Sequence, residues 1–273
     1  MTPAEALDGP GIARGEALLL LAQATGRTRE SLLAAPEGAM SPAAVARYAG
    51  LRERRLAGEP IAYLTGFREF YGRRFAVESG VLIPRPETEL LIDLGLERIG
   101  RGRSAASPTV LDLGTGSGVL AITLALELAG ACVTGTDLSS HALRVARSNA
   151  GSLGVTVNWQ AGDWFGALDD QSRFDLIVSN PPYIAADDRH LHQGDLRFEP
   201  PGALCDGHDG LSALREIVAG SPARLNAGGT LMVEHGHDQA ETVRALFKAA
   251  GLVDIASVRD LAGIERVTVG RLG

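Results

Sequence analysis

Val110-Leu111-Asp112-Leu113-Gly114-Thr115-Gly116-Ser117-Gly118 carries the reading of this 273-residue chain. An apolar run reads as a buried strand, three alternating glycines as a sharp turn, and the apolar residues from Val119 as a helix. Glycine lets the backbone turn tightly and lets a ligand approach with no Cβ in between. The helix beyond the turn offers unpaired N–H groups at its start. The segment therefore predicts a nucleotide-type crevice at the carboxyl end of a strand.

Strands and helices alternate outward from this turn. The pattern predicts strands over 110–113, 131–136, 155–159, 174–179 and 229–234, and helices over 118–128, 139–150, 211–225 and 239–250. Such alternation implies a largely parallel sheet covered by helices on both faces. Two closing strands, 252–258 and 265–269, have only a loop between them and predict an antiparallel hairpin.

Three strand ends carry further chemistry. Asp137 follows the second strand, where an acid accepts hydrogen bonds from ribose hydroxyls. A dinucleotide or S-adenosylmethionine fits that position. The dinucleotide fingerprint G-x-G-x-x-G, however, wants a glycine where Val119 stands. Gly162-Asp163-Trp164 follows the third strand and offers an acid for an adenine amine beside a ring to stack on. Ser179-Asn180-Pro181-Pro182-Tyr183 ends the fourth. Two prolines cannot continue a central strand; they hold Asn180 extended and remove two backbone donors. What remains is an asparagine amide oxygen and bare carbonyls, acceptors for an –NH2 group, beside the flat face of Tyr183.

Composition narrows the function classes. With 26 basic against 33 acidic residues the chain carries −7, a poor basis for gripping bare phosphate backbones. Cys132 and Cys205 are too few for a disulfide framework or a four-cysteine zinc site, and predict two reduced thiols in a cytoplasmic protein. Lys248 is the one lysine, so lysine-nucleophile chemistry has a single candidate. No basic segment precedes an apolar run near Met1, which predicts no secretory leader. The apolar stretch 119–133 contains Glu127 and is short for a membrane span.

Charge also divides the chain. Residues 1–75 hold ten arginines and eight acids; the remainder holds 16 basic and 25 acidic residues. The first part reads as helical: a leucine-rich helix ending at Gly26, a short one opened by Thr28 and Ser31, and one opened by Ser41-Pro42 and running to about Leu56. From Ile61 to Ile83, aromatic and β-branched residues punctuated by Gly72 and Gly80 predict a hairpin.

The glycine loop and Asn-Pro-Pro-Tyr together resemble the Rossmann-like, S-adenosylmethionine-dependent methyltransferases that methylate planar nitrogens. Further segments narrow this: Glu59-Pro60-Ile61-Ala62-Tyr63-Leu64-Thr65-Gly66, Glu69-Phe70-Tyr71-Gly72, Pro84-Arg85-Pro86-Glu87-Thr88-Glu89, Glu199-Pro200, Asp209-Gly210-Leu211, Glu234-His235-Gly236 and residues 260–266. Over about residues 45–270 the chain resembles the PrmC (HemK) family, the peptide-chain release factor glutamine N5-methyltransferases. The resemblance implies an α/β fold: a Rossmann-like seven-stranded S-adenosylmethionine methyltransferase domain preceded by a small helical domain and a β-hairpin connector. The expected domains are 1–60, helical and substrate-recognising; 61–83, the connector; and 84–273, catalytic.

The resemblance also implies methyl transfer from S-adenosyl-L-methionine to the glutamine of the Gly-Gly-Gln loop of class I release factors, a step of translation termination. Asp112, Gly114, Thr115, Gly116, Gly118, Asp137, Asp163, Trp164 and Asn180 are then the cofactor residues. Pro84, Arg85, Pro86, Glu87, Asn180, Pro181, Pro182 and Tyr183 form the substrate side, with Asn180, Pro181 and Tyr183 on the reacting amide. A ribosomal-protein glutamine or a DNA adenine methyltransferase would use the same loop, since adenine N6 is also an amino group on a planar π-system. An acidic chain without a basic target-recognition region argues against DNA, and the helical domain argues for the release factor. A monomer with no nucleic-acid or membrane contact is expected.

The chemistry asks for no metal, covalent nucleophile or strong general base. An amide nitrogen is a poor nucleophile, so the protein must supply alignment and acceptors that raise electron density on the nitrogen. His190 and His192, near Asp187, Asp188 and Asp195, read as a solvated loop rather than a metal site. His235 and His237 read as solvent-facing or capping, Glu87 and Glu89 as the acidic start of a helix. Arg52, Arg54 and Arg55 read as a solvated helix face, with release-factor contact as the alternative.

Overall fold

The structure, a computed structural model, describes residues 1–102 and 107–273. Its contacts divide the chain into two units: Met1–Phe67 with His192–Phe198, and Arg68–Leu191 with Glu199–Gly273. The division falls seven residues beyond the expected end of the helical domain and assigns the hairpin to the second unit.

The first unit holds helices α1 (Pro3–Leu7), α2 (Arg14–Thr25), α3 (Arg29–Ala34), α4 (Pro42–Leu56) and α5 (Ile61–Thr65). Its helix starts are built by side-chain caps that satisfy orphan N–H groups. Thr28 accepts from the Ser31 N–H and Ser41 from the Ala44 N–H, while Thr2 and Glu5 cap one another. Leu20, Leu21, Leu32, Tyr48 and Leu64 form the core, and the Tyr48 hydroxyl donates to the Ala6 carbonyl at 3.0 Å. Residues 61–65 are helical where a hairpin was expected, because Gly66, at φ 78°, lets a helical turn close before the strand begins. The segment His192–Phe198 completes this unit. Arg197 donates to the Ala57 carbonyl at 2.8 Å and its guanidinium lies over Gly58. Arg55 pairs with Glu16 at 2.8 Å and with Asp195 at 3.4 Å.

The second unit opens within the hairpin β1 (Phe67–Phe70) and β2 (Arg73–Ala76), of which all but Phe67 belongs to it. There follow α6 (Glu89–Gly102), β3 (Thr109–Leu113), α7 (Val119–Glu127), β4 (Cys132–Asp137), α8 (Ser140–Leu153), β5 (Asn158–Ala161) and β6 (Phe174–Ser179). The chain continues with α9 (Pro201–Leu204), α10 (Ser212–Gly220), β7 (Leu225–Glu234), α11 (Ala240–Ala249), β8 (Leu252–Arg259) and β9 (Glu265–Leu272). The seven-stranded sheet runs β5-β4-β3-β6-β7-β9-β8, with β9 antiparallel to both neighbours and the rest parallel.

Alternation along the strands sends side chains to two cores. Val110, Leu176, Val178 and Met232 pack with α6, α7 and α8, while Leu111, Leu113, Ile177 and Leu231 pack with α10 and α11. Two boundaries moved for local reasons. The strand expected from residue 155 begins at Asn158, because the Val155 N–H still donates to the Ala150 carbonyl in the cap of α8. The helix expected to reach residue 225 ends at Gly220 and passes into a 3-10 turn, Ser221–Ala223, because Pro222 has no N–H to donate back to the helix. No helix among the described residues is long and apolar enough to cross a membrane.

Candidate active site

Strand order places the chemistry. From β3 the chain first goes to β4 on one side and later to β6 on the other. The crevice opened by such a reversal is where doubly wound sheets bind ligands. A cavity of about 400 Å³ lies there, within the usual range for small-molecule sites. Its lining includes Gly114, Thr115, Gly116, Asp137, Leu138, Asp163, Trp164, Asn180 and Pro182, and it extends to Pro84, Thr88 and Gly202.

The glycine turn is held from behind. Gly114, Gly116 and Gly118 have φ of 68°, 57° and 85°, the left-handed region that other residues enter at a cost. The buried Asp112 carboxylate accepts from the Thr115 hydroxyl at 2.5 Å and the Ala121 N–H at 3.1 Å. Its Oδ1 has no partner among the described residues, and burial pushes the carboxyl up to about 7. Asp112 thus acts as a strut behind the turn. Gly118 is buried too, facing Ile122, Ala146 and Trp159. Both stand behind the lining that the sequence assigned them to, because the helix start has to pack on the sheet.

Asp137 accepts from the Gly116 N–H and the Ser139 N–H, each at 2.8 Å, one on each oxygen. The carboxylate is fixed in place with lone pairs remaining for a ligand. Burial raises its pKa, opposed by those two backbone donors. A Cβ at Gly116 would meet nothing within 4 Å, whereas one at Gly114 would lie 3.2 Å from the Trp164 ring. The turn therefore leaves open space on the cavity side and is walled by an indole. Trp164 itself has φ 38°. An acid at the end of β4, an open glycine turn and an aromatic wall fit a nucleoside with a charged tail.

The opposite wall is made of side chains. Asn180 follows β6, whose end is tied to β3 by the Ser179 hydroxyl donating to the Leu113 carbonyl at 2.8 Å. Asn180 Nδ2 donates to Thr88 Oγ1 at 3.0 Å, and Thr88 Oγ1 donates to Glu234 Oε2 at 2.7 Å. The Tyr183 hydroxyl donates to Glu234 Oε1 at 3.1 Å. Glu234, only 1% exposed, has its carboxyl pushed up to about 7 by burial, against the Thr88 and Tyr183 hydrogen bonds and the charge of Arg266. Burial, with the Glu234 charge second, also pushes the Tyr183 phenol up.

The structure spreads the remaining expected substrate residues over several positions. Pro84 lines the cavity. Arg85 is ion-paired with the buried Glu199, whose other oxygen accepts from the Ile83 N–H at 2.9 Å. That pair pins the 83–85 stretch to the segment that returns through Pro200. Pro86 and Glu87 are exposed at the start of a 3-10 turn, and Pro181 is buried. His235 is fully buried rather than solvent-facing: its ring nitrogens lie 2.9 Å from the Gly236 carbonyl and 3.0 Å from the Thr268 hydroxyl. The first unit's arginines have neighbours of their own, Arg52 on the Pro10 carbonyl and Arg54 on Glu59 at 2.7 Å. Thr88, Glu199 and Glu234 carried no assigned role in the sequence. Their signals were a place in the segments that carry the resemblance and, for Glu234, an acid at the end of the apolar run of β7.

Comparison with known proteins gives the family. Residues 91–195 match the family described as methyltransferase small domain, and residues 5–66 match the PrmC N-terminal domain. A release factor glutamine methyltransferase from Bordetella pertussis is 55% identical over 97% of this chain and 97% of its own length. One of the same name from Burkholderia pseudomallei is 50% identical over 99% and 96%. A methyltransferase crystal structure from Pyrococcus furiosus superposes with a TM-score of 0.56 at 17% identity, covering 82% of this chain and 99% of its own, and shares the fold. With such identity over nearly its whole length, the chain belongs to the release factor glutamine methyltransferase family.

Proposed function

We propose that this chain methylates N5 of the glutamine in the Gly-Gly-Gln loop of class I peptide-chain release factors, with S-adenosyl-L-methionine as donor. The observation that carries the reading is Asn180. Its Nδ2 is engaged by Thr88, so the end available to a ligand in the cavity is the acceptor Oδ1. An acceptor at that point suits a primary amide.

The cofactor supplies an electrophilic methyl on a cationic sulfur. The chain's residues do the rest. Gly114 to Gly116 present a backbone that admits the methionine portion, Asp137 accepts from the ribose hydroxyls, and Asp163 and Trp164 flank the adenine. Asn180 Oδ1 and the Pro181 carbonyl accept the two amide hydrogens of the glutamine, fixing the nitrogen in line with the methyl. Their partial negative charge becomes more favourable as the nitrogen turns cationic. Pro182 and Pro84 narrow the cavity around the amide, and Tyr183 stands beside it. After transfer the nitrogen is acidic and loses its proton without a dedicated base.

The helical unit reads the protein substrate, and the enzyme acts as a cytoplasmic monomer without nucleic-acid contact. The net charge of −7 supports the last point. The test is transfer of labelled methyl to purified release factor, with a Gln→Glu substitution in its Gly-Gly-Gln loop as control. Label appearing equally in both proteins would overturn the assignment, and label in duplex DNA or ribosomal protein instead would redirect it.

A further inference from the structure

The Asn-Pro-Pro-Tyr loop needs one property that its own sequence does not provide. A carboxamide has a donor end and an acceptor end of nearly the same shape, and only one of them can hold a substrate –NH2. Prolines on the C-terminal side fix the backbone of Asn180 and leave its side-chain amide free to turn over. Something outside the loop has to set its direction.

The buried chain of hydrogen bonds does so. In its ionised form Glu234 only accepts, so the Thr88 hydroxyl, 2.7 Å from Glu234 Oε2, directs its single O–H to Glu234. That leaves only lone pairs on Thr88 Oγ1 to face Asn180 at 3.0 Å. The Asn180 –NH2 satisfies them. Turned over, Asn180 would set one acceptor oxygen against another and lose the bond. The second Glu234 oxygen takes the Tyr183 proton at 3.1 Å, so the same carboxylate sets both polar residues of the loop. Arg266 bears on Glu234 from β9 and favours the charged form. Thr88 and Glu234 lie 146 positions apart in the chain, and the packing of the 3-10 turn 86–88 against the end of β7 brings them together.

We infer that Glu234, acting through Thr88, is the positioning residue that turns the acceptor end of Asn180 toward the substrate amide. This rests on the reading of Asn180 as the amide acceptor. Glu234 makes its contacts behind the loop, so its role is to orient and not to touch the reacting atoms. The donor side of the cavity hangs from Asp112 and Asp137, so loss of the relay leaves cofactor binding alone.

The test is a double-mutant cycle on the full-length enzyme, read as single-turnover methylation of purified release factor, with S-adenosylmethionine affinity and Tm measured in parallel. Thr88→Val keeps the shape and removes the hydroxyl. It should slow methyl transfer at least about tenfold, with cofactor affinity within about twofold. Thr88→Ser should recover most of that rate. Glu234→Gln should also slow transfer, because its amide can donate to Thr88 and release the Thr88 proton toward Asn180. In an Asn180→Ala background, Thr88→Val should have little further effect, since the relay acts only through Asn180. Wild-type rates in both Thr88→Val and Glu234→Gln would overturn the inference while leaving the Asn180 assignment intact. An equal loss from Thr88→Val with and without Asn180 would overturn it as well, marking Thr88 as a general prop. Full activity in Asn180→Ala alone would instead remove the acceptor site, and the inference with it. Should Glu234→Gln fail to fold, the Thr88 pair of variants decides.

Discussion

The two walls of the cavity are built by opposite methods. On the donor side the glycine turn presents backbone to the cavity: Gly114, Thr115 and Gly116, held by Asp112 and Asp137 through the Thr115 hydroxyl and main-chain N–H groups. On the acceptor side a side chain faces the cavity, Asn180, held by the hydroxyl of Thr88 and, through it, the carboxylate of Glu234. Each wall has a buried acid behind it whose pKa stands near 7. A backbone wall is damaged by adding atoms, because its function is to leave room. A side-chain wall is damaged by removing or turning a single polar atom. The donor side should therefore respond to substitution through affinity, and the acceptor side through rate.

The largest expected effect is on the acceptor side. Asn180→Ala removes one acceptor from a desolvated amide, a loss of about 1–3 kcal/mol before misalignment is added. Turnover should fall on the order of 100-fold, at roughly 1.4 kcal/mol per tenfold, with cofactor affinity unchanged by calorimetry. A fall in affinity to match would erase the distinction between the walls. Next comes Gly116→Val. A side chain there enters the open space beside Asp137 and must adopt φ near 57°, at roughly 1–2 kcal/mol of strain. S-adenosylmethionine binding should weaken at least about tenfold in a protein that still melts cooperatively; unaltered affinity would mean the cofactor does not pass this turn.

Leu138→Ala should have a smaller effect. Leu138 is 76% exposed on the cavity rim next to Asp137, an apolar surface for a ligand to cover. Partial burial of one such side chain supports about a threefold change in cofactor Kd, and a shift in turnover at saturating cofactor would count against the placement. The smallest effect is one of stability. Asp112 has a folded pKa near 7 against 3.8 for a free carboxyl, so its raised value contributes stability that is fully present below about pH 4 and is lost as pH rises through 7. Asp112→Asn lacks that dependence. Relative to wild type, its Tm should improve between pH 5 and pH 9, by about 2–4 °C for each kcal/mol recovered. A constant gap across the range would show that Asp112 does not titrate in the folded state.

The difference between the walls also governs what can be read before folding. The donor wall is contiguous: the residues from Asp112 to Gly118 announce strand, turn and helix start within seven positions, and Asp137 ends the next strand. The acceptor wall is half legible. Asn180 and its prolines stand out, whereas Thr88 and Glu234 become partners only through the sheet order β3-β6-β7 and the packing of the 3-10 turn that precedes α6. Asp112 was legible as a residue of the glycine-loop motif, assigned to the cofactor, but not as a strut, since a linear motif does not tell which side of it faces a ligand. Residues 61–65 were misread for another reason. Their aromatic and β-branched content suits either structure, and the left-handed Gly66 that ends the helix reads equally well as the start of a hairpin.

The strip His192–Phe198 has a consequence for synthesis. It belongs to the first unit, yet it follows Phe67 by about 125 residues. At roughly 5–20 residues per second on the ribosome, it emerges many seconds after helices α1 to α5. Through that interval the concavity at Gly58 lacks Arg197, and Arg55 has Glu16 without Asp195. The N-terminal helices are thus finished by a piece of chain that is made only after strands β3 to β6 have been translated. A protease cut between residues 68 and 191 would divide that small unit's two parts between different fragments.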